Sequence, residues 1–506
     1  MRAIQPFLAL AALLLAACRP GAGEQPPLVV DAIGPRAQRA IVADAVSAGL
    51  TALDPAGRVV PALAQSWRVF DEGRSIVFRL RPAHFPDGTP IGATHAVAAI
   101  EAARKGKAGP QVAELLAGVT QVNAPLETVV EIQLSTPQPE LLELLATPQL
   151  AIRSPRHNAG IGPFLLQAAP VPDAGEPPAP LGTRLLRNKD YFAADTVEME
   201  GAIVASHSVE ESIRRFNRGE TLLVLGGGLD GLGTARVTAK RDTLMLERPR
   251  AGLLLLVNHR RPGLSERNVR RALQLAINRD SLAQGLFGTQ AASPVAALSP
   301  GNIAGYTPPR PDWVDLPFAS RQLEADRLLA EARQAPAATG DEAPPGLTFT
   351  VAVTSSPAEA RLLTAVAADL AAIGVELNLA RRSPEAHLKA IREGDFDLAL
   401  VRRDTPIDSP LPFLLPNLCN RNRHGVCLPE ADELVAESWN AATRAERLSK
   451  LAAAERLWAE DGAVIGLVQP LGWSLVSPRI SGIAPNPGGS HSLRHLSLSP
   501  ERTFIR

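Results

Sequence analysis

Alternating apolar and polar residues mark several β-strands along this chain. Two such runs flank Asp71-Glu72-Gly73 within residues 67–81, and two strands around a short turn of this composition predict a β-hairpin. Further runs predict strands at 128–134, 253–258, 347–353 and 396–401.

Apolar residues at helical spacing lie between these strands. Ser265 is a suitable N-cap for a helix whose apolar stripe continues to Leu282. Ser356-Pro357 opens a second helix, which Gly374 ends, and residues 443–460 form a third. Strands that alternate with helices of this length predict an α/β architecture.

An apolar run near the N-terminus has the pattern of an export signal. The run covers residues 7–17, which is shorter than the about 20 residues that a membrane-spanning helix needs. The tetrad Leu15-Ala16-Ala17-Cys18 resembles the lipobox of bacterial lipoproteins, in which the cysteine is acylated and the preceding peptide is removed. We therefore expect a signal peptide over 1–17, lipidation of Cys18 and a tether over 18–27; the alternative is an ordinary secretory signal with an incidental cysteine.

Composition limits the kinds of partner that this protein binds. The chain of 506 residues is long enough for two or three domains, and its apolar fraction of 45% is that of a globular protein. The 52 basic residues balance the 52 acidic ones, so no net positive field attracts nucleic acid. Nucleic acid is therefore not an expected partner.

Two cysteines remain after Cys18. Cys419 and Cys427 are separated by a short polar loop, and in an oxidising compartment such a pair forms a disulfide. His424 lies between them, but two thiols and one imidazole lack the fourth ligand of a structural zinc site. We expect a disulfide and no metal.

Residues 61–97 contain a long and specific pattern: Leu-Ala-x-Ser-Trp, the hairpin, a Leu-Arg turn and then Phe-x-Asp-Gly-Thr-Pro before a helix. This pattern resembles the signature of the family 5 extracellular solute-binding proteins of ABC importers, which include oligopeptide-, dipeptide- and nickel-binding proteins. Gly162-Pro163-Phe164, residues 187–192 and residues 268–279 resemble later blocks of the family in the same order.

The resemblance implies a class II periplasmic binding protein fold, with two large lobes joined by a hinge and a small third lobe. Ligand would bind in the cleft between the large lobes, and the lobes would close around it. The chain would cross between them near Asn258 and near Gln469. The division that the resemblance implies is lobe I over 26–50, about 160–255 and 470–506, the small lobe over 51–159, and lobe III over 256–469.

The resemblance also indicates acidic ligand-binding residues. In peptide-binding relatives a carboxylate just after an Asp-rich strand binds the peptide amine, and Asp404 is the matching position. Asp408 is the next acid, four residues on where relatives space it three, so the loop has one extra residue. The alternative is that these are solvated acids on a proline-rich loop.

Two departures from the family weaken a peptide assignment. Val401 stands where relatives often have a tryptophan, and residues 354–357 lack the arginine that binds the ligand carboxylate in dipeptide binders. Arg402 and Arg403 are candidate replacements, because a guanidinium pairs bidentately with a carboxylate. In that case the ligand is acidic; the alternative is that both are merely exposed arginines.

A glycine-rich segment, residues 222–231, contains G-x-G-x-x-G after a predicted strand. The following residues are too rich in glycine to predict a helix, which weakens a dinucleotide-binding interpretation. In the family a loop at this place leads to the cleft, so Gly227 and Gly228 are candidates for close backbone approach to ligand.

The sequence predicts a binding protein and not an enzyme. It contains no H-E-x-x-H, G-x-S-x-G or G-x-x-x-x-G-K-[ST] motif, and we expect no cofactor. The resemblance implies a monomeric, lipid-anchored periplasmic protein that captures a small solute, most simply a peptide, for an ABC permease. The alternative is a lipoprotein that has lost transport and acts in interaction or sensing.

Overall fold

The structure is a computed structural model that describes residues 26–156, 160–168, 182–287, 292–334 and 347–499. The predicted signal peptide, Cys18 and most of the predicted tether lie outside the described residues. Within the described ranges, no helix has the length and apolar character needed to cross a membrane.

Strands and helices alternate along most of the described chain. The strands are β1 (Leu28–Ile33), β2 (Thr51–Leu53), β3 (Val59–Pro61), β4 (Ala64–Phe70), β5 (Ser75–Leu80), β6 (Val119–Leu126), β7 (Val129–Leu134), β8 (Phe164–Gln167), β9 (Thr183–Arg187), β10 (Gly201–His207), β11 (Leu223–Gly227), β12 (Leu244–Glu247), β13 (Ala251–Val257), β14 (Ala292–Pro294), β15 (Thr348–Thr354), β16 (Glu376–Arg382), β17 (Leu398–Asp404), β18 (Val464–Pro470), β19 (Gly472–Val476), β20 (Ile480–Ser481) and β21 (Ser497–Leu498). The α-helices are α1 (Gly34–Ala45), α2 (Ala93–Arg104), α3 (Pro110–Leu115), α4 (Leu141–Leu144), α5 (Val209–Arg218), α6 (Leu232–Thr238), α7 (Arg267–Ala276), α8 (Arg279–Phe287), α9 (Phe318–Gln334), α10 (Pro357–Ala371), α11 (Pro384–Glu393), α12 (Leu411–Leu414), α13 (Pro429–Ser438) and α14 (Arg444–Asp461).

One large unit, the seven-stranded unit, is built on the sheet β12-β19-β11-β1-β10-β9-β8 with helices α1, α5 and α6. Strand β1 lies near the centre and is parallel to both of its neighbours, β10 and β11. Because parallel strands end at the same edge, the carboxyl ends of β1 and β11 meet there, and this is where open α/β sheets bind ligands.

The second large unit, the six-stranded unit, is built on the sheet β14-β18-β13-β17-β15-β16 with helices α7 to α14. Every residue of β13 is buried, as expected for a strand covered on both faces. Strand β15 is parallel to β16 and β17, so the carboxyl end of β17 lies at the same edge as theirs.

A small unit, the four-stranded unit, contains the antiparallel sheet β4-β5-β7-β6 and helices α2 to α4. Its apolar core is continuous with that of the seven-stranded unit, since one cluster of buried side chains includes both Val30 of β1 and Phe78 of β5. The six-stranded unit has two separate clusters of its own.

The chain passes between the two large units at two places. The first crossing lies between Glu247 and Ala251, and the second is at Leu471, between β18 and β19. The sequence placed the first crossing near Asn258. That residue lies within the six-stranded unit, where its side-chain amide donates to the carbonyls of Gly394 and Phe396 at 3.0 and 2.7 Å.

Most predicted elements are present, with two changes near Ser265. Ser265 does not cap α7, whose N-cap position is Glu266 with no side-chain hydrogen bond. The hairpin is β4 and β5, and both Ser356 and Thr443 cap helices with their hydroxyl oxygens. The helix predicted from Ser265 is two helices, α7 and α8. Asn278 starts the second, because its side-chain oxygen accepts from the Ser281 amide at 3.1 Å, as an N-cap does.

Candidate functional site

A cavity of about 380 Å³ lies where the carboxyl ends of strands from both large sheets meet the four-stranded unit. Helix α1 supplies one wall, and residues at helical spacing place small side chains toward the cavity: Ala37, Ala40 and Ala43. Thr51 to Asp54 comprise β2, which pairs with β3, and the residue after it, and Ala146 to Gln149 follow α4 of the four-stranded unit. Asp404 and Pro406 come from the six-stranded unit. All three units therefore contribute to one space.

Asp404 is the last residue of β17 and lines this cavity. Its Oδ1 atom lies 3.3 Å from Nη2 of Arg36, on α1 of the seven-stranded unit, and 3.5 Å from Nε of Arg402. The Asp404 side chain is 35% exposed, whereas that of Arg36 is 78% exposed. The carboxylate thus faces the cavity and already pairs with a guanidinium from across the cleft.

Side-chain alternation along β17 separates the two predicted arginines. Arg402 points to the same face as Asp404, whereas Arg403 points to the other face. Arg403 donates to the Phe413 carbonyl and, at 3.0 Å, to Oδ1 of Asn417, and burial lowers its pKa to about 10. Arg403 therefore supports a loop of the six-stranded unit and does not line the cavity.

The structure also places Asp408 outside the cavity. Its Oδ1 atom lies 3.0 Å from Nη2 of Arg250 and accepts from the Ala304 amide at 3.0 Å, and Arg444 lies 3.8 Å from the other oxygen. The turn after β17 directs this acid toward the first crossing. Asp408 therefore belongs to an ion-paired cluster at the crossing and lies apart from Asp404, and its binding of ligand stays a prediction.

Arg250 is the buried centre of a contact among the three units. Its Nη1 donates to the Pro406 carbonyl at 2.9 Å, and its Nη2 lies 3.0 Å from Asp408 and 3.7 Å from Glu143 of the four-stranded unit. Glu143 also accepts from the Asp408 amide. Burial raises the pKa of Glu143 to about 7, although Arg250 and this hydrogen bond act in the opposite direction. No local pattern of residues indicates this cluster.

The glycine-rich loop after β11 packs against a tryptophan. A Cβ on Gly227 would lie 2.3 Å from the Trp473 ring, so the backbone fits against the indole only without a side chain. The Gly228 carbonyl accepts from Trp473 Nε1 at 2.7 Å. These contacts account for the close approach at Gly227, whereas the neighbouring Gly226, at φ 87°, lines the cavity. A short helix, α6, does follow, contrary to the expectation from sequence.

The cavity is also lined by polar residues that no sequence motif indicated. Asp44 lies in the last turn of α1 and Ser47 just after the helix, and both line the cavity with Ser492 and Arg494. Burial raises the pKa of Asp44, although Ser492 and Arg494 act in the opposite direction. The sequence signal that could have indicated Asp44 is its position two turns after Arg36 on the same helix.

Cys419 and Cys427 are joined by a disulfide in the six-stranded unit, with their Cα atoms 4.3 Å apart. Burial lowers the pKa of the intervening His424 to about 3, so this imidazole is neutral. Within the part of the chain that the structure describes, no group of three or more His, Cys, Asp or Glu side chains is arranged to hold a metal ion.

The protein consists of two large α/β units and a small one, which are joined by adjacent crossings and enclose a cavity at strand ends. These features define a class II periplasmic binding protein fold. Sequence identifies the family. The family model for bacterial extracellular solute-binding proteins, family 5, matches residues 58–425, and the chain belongs to this family. It is a binding protein and not an enzyme.

Individual relatives agree with this assignment. A probable di/tripeptide-binding protein 5 of Pseudomonas aeruginosa is 24% identical over 480 residues, which cover 87% of this chain and 88% of the relative. The structure of Haemophilus influenzae OppA in complex with RPPGFSPFR has a TM-score of 0.80 at 18% identity, covering 94% of this chain and 100% of the other. The Escherichia coli murein tripeptide binding protein MppA has a TM-score of 0.79 at 18% identity, covering 95% and 99%.

The contact between Gly227 and Trp473 predicts a steric effect. Gly227→Ala places a methyl group against the indole, so we expect the free energy of unfolding to fall by about 1–3 kcal/mol, with a change in tryptophan fluorescence. Gly233→Ala in α6 is the matched control, because a Cβ there meets no atom within 4 Å, and this variant should be at least as stable as the parent. Equal stability of the two variants in chemical denaturation would contradict the packing described.

The raised pKa of Glu143 predicts a pH dependence of stability. The folded-state pKa, about 7, lies above the ordinary value of 4.5, so the folded protein binds more protons between these pH values. This carboxyl therefore makes stability decrease as pH rises from about 4.5 to about 7. In Glu143→Gln the melting temperature should decrease less over this pH range than in the parent protein. In Glu198→Gln, which changes an exposed glutamate, it should decrease as in the parent. An unchanged slope in Glu143→Gln would refute this assignment.

Proposed function

We propose that this protein captures a small peptide in the cavity and delivers it to the membrane subunits of an ABC importer. The observation that carries this proposal is the Asp404 carboxylate, which lines the cavity at the carboxyl end of β17. A carboxylate in a partly enclosed cleft forms a strong charge-assisted hydrogen bond to an ammonium group. The peptide-binding names of relatives support the same assignment.

The dimensions of the cavity favour a short ligand. At about 30 Å³ per water, the cavity volume of about 380 Å³ corresponds to about a dozen waters, close to the number of non-hydrogen atoms in a small dipeptide. Arg36 and Asp44 are eight residues apart on α1, or about 12 Å along the axis, which sets an upper limit of about three to four residues for an extended ligand between them. We therefore propose a di- or tripeptide.

The lining of the cavity offers a group for each terminus of a peptide. Asp404 is the candidate for the ammonium group, and Arg494 is the candidate for the ligand carboxylate. Arg494 would take the place of the arginine that residues 354–357 lack, although its guanidinium already donates to the Leu53 carbonyl at 3.2 Å and lies near Asp44. Arg402 lies beside Asp404 but does not itself line the cavity.

We further propose that Cys18 is lipidated, that the mature protein is a monomer in the periplasm, and that the anchor keeps it near its permease. The sequence around Cys18 supports the lipid, and the solute-binding family supports the permease. Tethering raises the effective concentration of the loaded binding protein at the membrane.

A second candidate is a lipoprotein that senses or interacts without transport. The pairing of Asp404 with both Arg36 and Arg402 favours it, because these guanidinium groups compete with a ligand ammonium. A screen of di- and tripeptides by thermal shift separates the two candidates. Stabilisation by peptides supports capture, whereas no response across the set would remove the peptide proposal.

Asp404→Asn should weaken the binding of any peptide hit by about 2 kcal/mol, or about 30-fold in Kd, since the ammonium loses its charged partner. Isothermal titration calorimetry with the free and the N-acetylated peptide checks this. Acetylation should weaken binding to the parent protein and have little further effect on the variant. A variant with unchanged affinity would remove Asp404 from the site.

Arg36→Gln should strengthen the binding of peptides with a free amine by about 2- to 5-fold, because an exposed ion pair contributes up to about 1 kcal/mol and its loss frees Asp404. The gain should decrease with added salt. Arg39→Gln is the matched control, since Arg39 is an exposed arginine on the same helix that does not line the cavity. Weaker binding in Arg36→Gln would instead assign Arg36 to an anionic group of the ligand.

A further inference from the structure

The glycine-rich loop of the seven-stranded unit reaches across to the six-stranded unit. The Asp230 carboxylate accepts from the Ser356 hydroxyl at 2.5 Å and from the Ala358 amide at 2.8 Å. Ser356 and Ala358 are 126 and 128 residues further along the chain and belong to the N-terminus of α10. A single carboxylate therefore makes two hydrogen bonds between units whose chain connections are the two crossings.

The N-terminus of α10 is suited to an acid. The first amides of a helix have no partner within the helix, and the helix dipole favours negative charge there. Ser356 already caps one of them, since its hydroxyl oxygen accepts from the Glu359 amide at 3.1 Å. Asp230 extends this cap from the other unit, so the favourable interaction exists only when the two units are close together.

An apolar contact accompanies these hydrogen bonds. Leu229, the residue before Asp230, packs against the buried cluster of the six-stranded unit that includes Leu362 and Val366 of α10. Leu229 is itself only partly buried. The loop thus adds hydrophobic burial to the polar contact, and both are lost when the units separate.

The loop is held in the shape that this contact needs. Trp473 Nε1 donates to the carbonyls of Gly228 and Asp230, at 2.7 and 3.3 Å. Gly231 has φ 71°, and a Cβ there would lie 1.9 Å from Val209 Cγ1. Trp473 comes two residues after the second crossing, so the same indole fixes the loop next to the point where the chain changes unit.

We infer that Asp230 is a positioning residue that, with Leu229, holds the two large units closed over the cavity. It does not line the cavity, so it acts through closure and not through ligand contact. If only the closed form encloses the ligand, the apparent Kd is the intrinsic Kd divided by the closed fraction. That consequence for affinity rests on the proposed function, whereas the effect on closure does not.

Distance measurements between the units test the inference without any ligand. Spin labels on Val237→Cys in α6 and Leu388→Cys in α11 report the separation, because both side chains are exposed and lie on opposite units. Asp230→Asn, Asp230→Ala and Asp230→Lys should lower the ratio of closed to open protein in that order. For the alanine variant the decrease should be about 2- to 30-fold, the range for loss of a helix-capping side chain.

Two control variants separate closure from local stability. Asp195→Ala removes an exposed acid from the same unit, and Ser383→Ala removes the N-cap of α11, whose hydroxyl bonds within its own helix. Neither should alter the distance distribution, whereas Ser356→Ala should open the protein as Asp230→Ala does. An unaltered distribution in both Asp230→Ala and Asp230→Lys, or a parent protein that is only open, would overturn the inference.

Peptide affinity then links closure to binding. For a peptide hit from the thermal-shift screen, Asp230→Ala should raise Kd for the free and the N-acetylated forms by the same factor, since closure does not depend on the ammonium. Asp404→Asn should affect the free form more. If no peptide binds, the proposed ligand class fails, and the distance measurements still decide the role of Asp230.

Discussion

One buried guanidinium joins the three units of this protein. Arg250 lies in the first crossing, and its side chain bonds to the turn after β17 and lies near Glu143 of the four-stranded unit. Its backbone amide donates to the Pro487 carbonyl of the segment that lines the cavity, and its carbonyl accepts from the Thr405 amide. A buried cation with two acids nearby is stable only while its partners stay in place, so this residue fixes the geometry on which the cavity depends.

The position of Arg250 explains why neighbouring acids have different roles. The turn after β17 leaves Asp404 facing the cavity and carries Asp408 back to the crossing. Asp404 is paired with an exposed arginine, an interaction of small net energy that a ligand can replace. Asp408 is held by a buried arginine and a backbone amide, and removing either partner would leave a buried charge. Burial and partner together distinguish the exposed, cavity-lining acid from the partly buried, ion-paired one.

Local sequence signals predicted the elements well and the contacts between units poorly. The hairpin, the helix that Ser356 opens, the helix over 443–460 and the strand that ends in Asp404 follow from residue pattern and from the family resemblance, whereas the N-cap predicted at Ser265 is absent. The opposite orientation of Arg403 follows from strand alternation. Arg250, Glu143 and Asp230 are far apart in sequence, and their roles arise only when separate units meet. The first crossing was misplaced for the same reason, because a wholly buried strand gives no sign of which sheet it joins.

The distribution of apolar contact indicates which parts move together. The four-stranded and seven-stranded units share one continuous core, and separating them would expose a large apolar surface. Contacts from the four-stranded to the six-stranded unit include hydrogen bonds and ion pairs, such as Thr136 to the Ala441 carbonyl and Glu114 with Arg421. Water can replace polar contacts at far lower cost than it can solvate a core. Rotation of the six-stranded unit would leave the shared core of the other two units largely intact, but it would break the Arg250 contact among the three units, the apolar contact of Leu115 and the Asp230 contact.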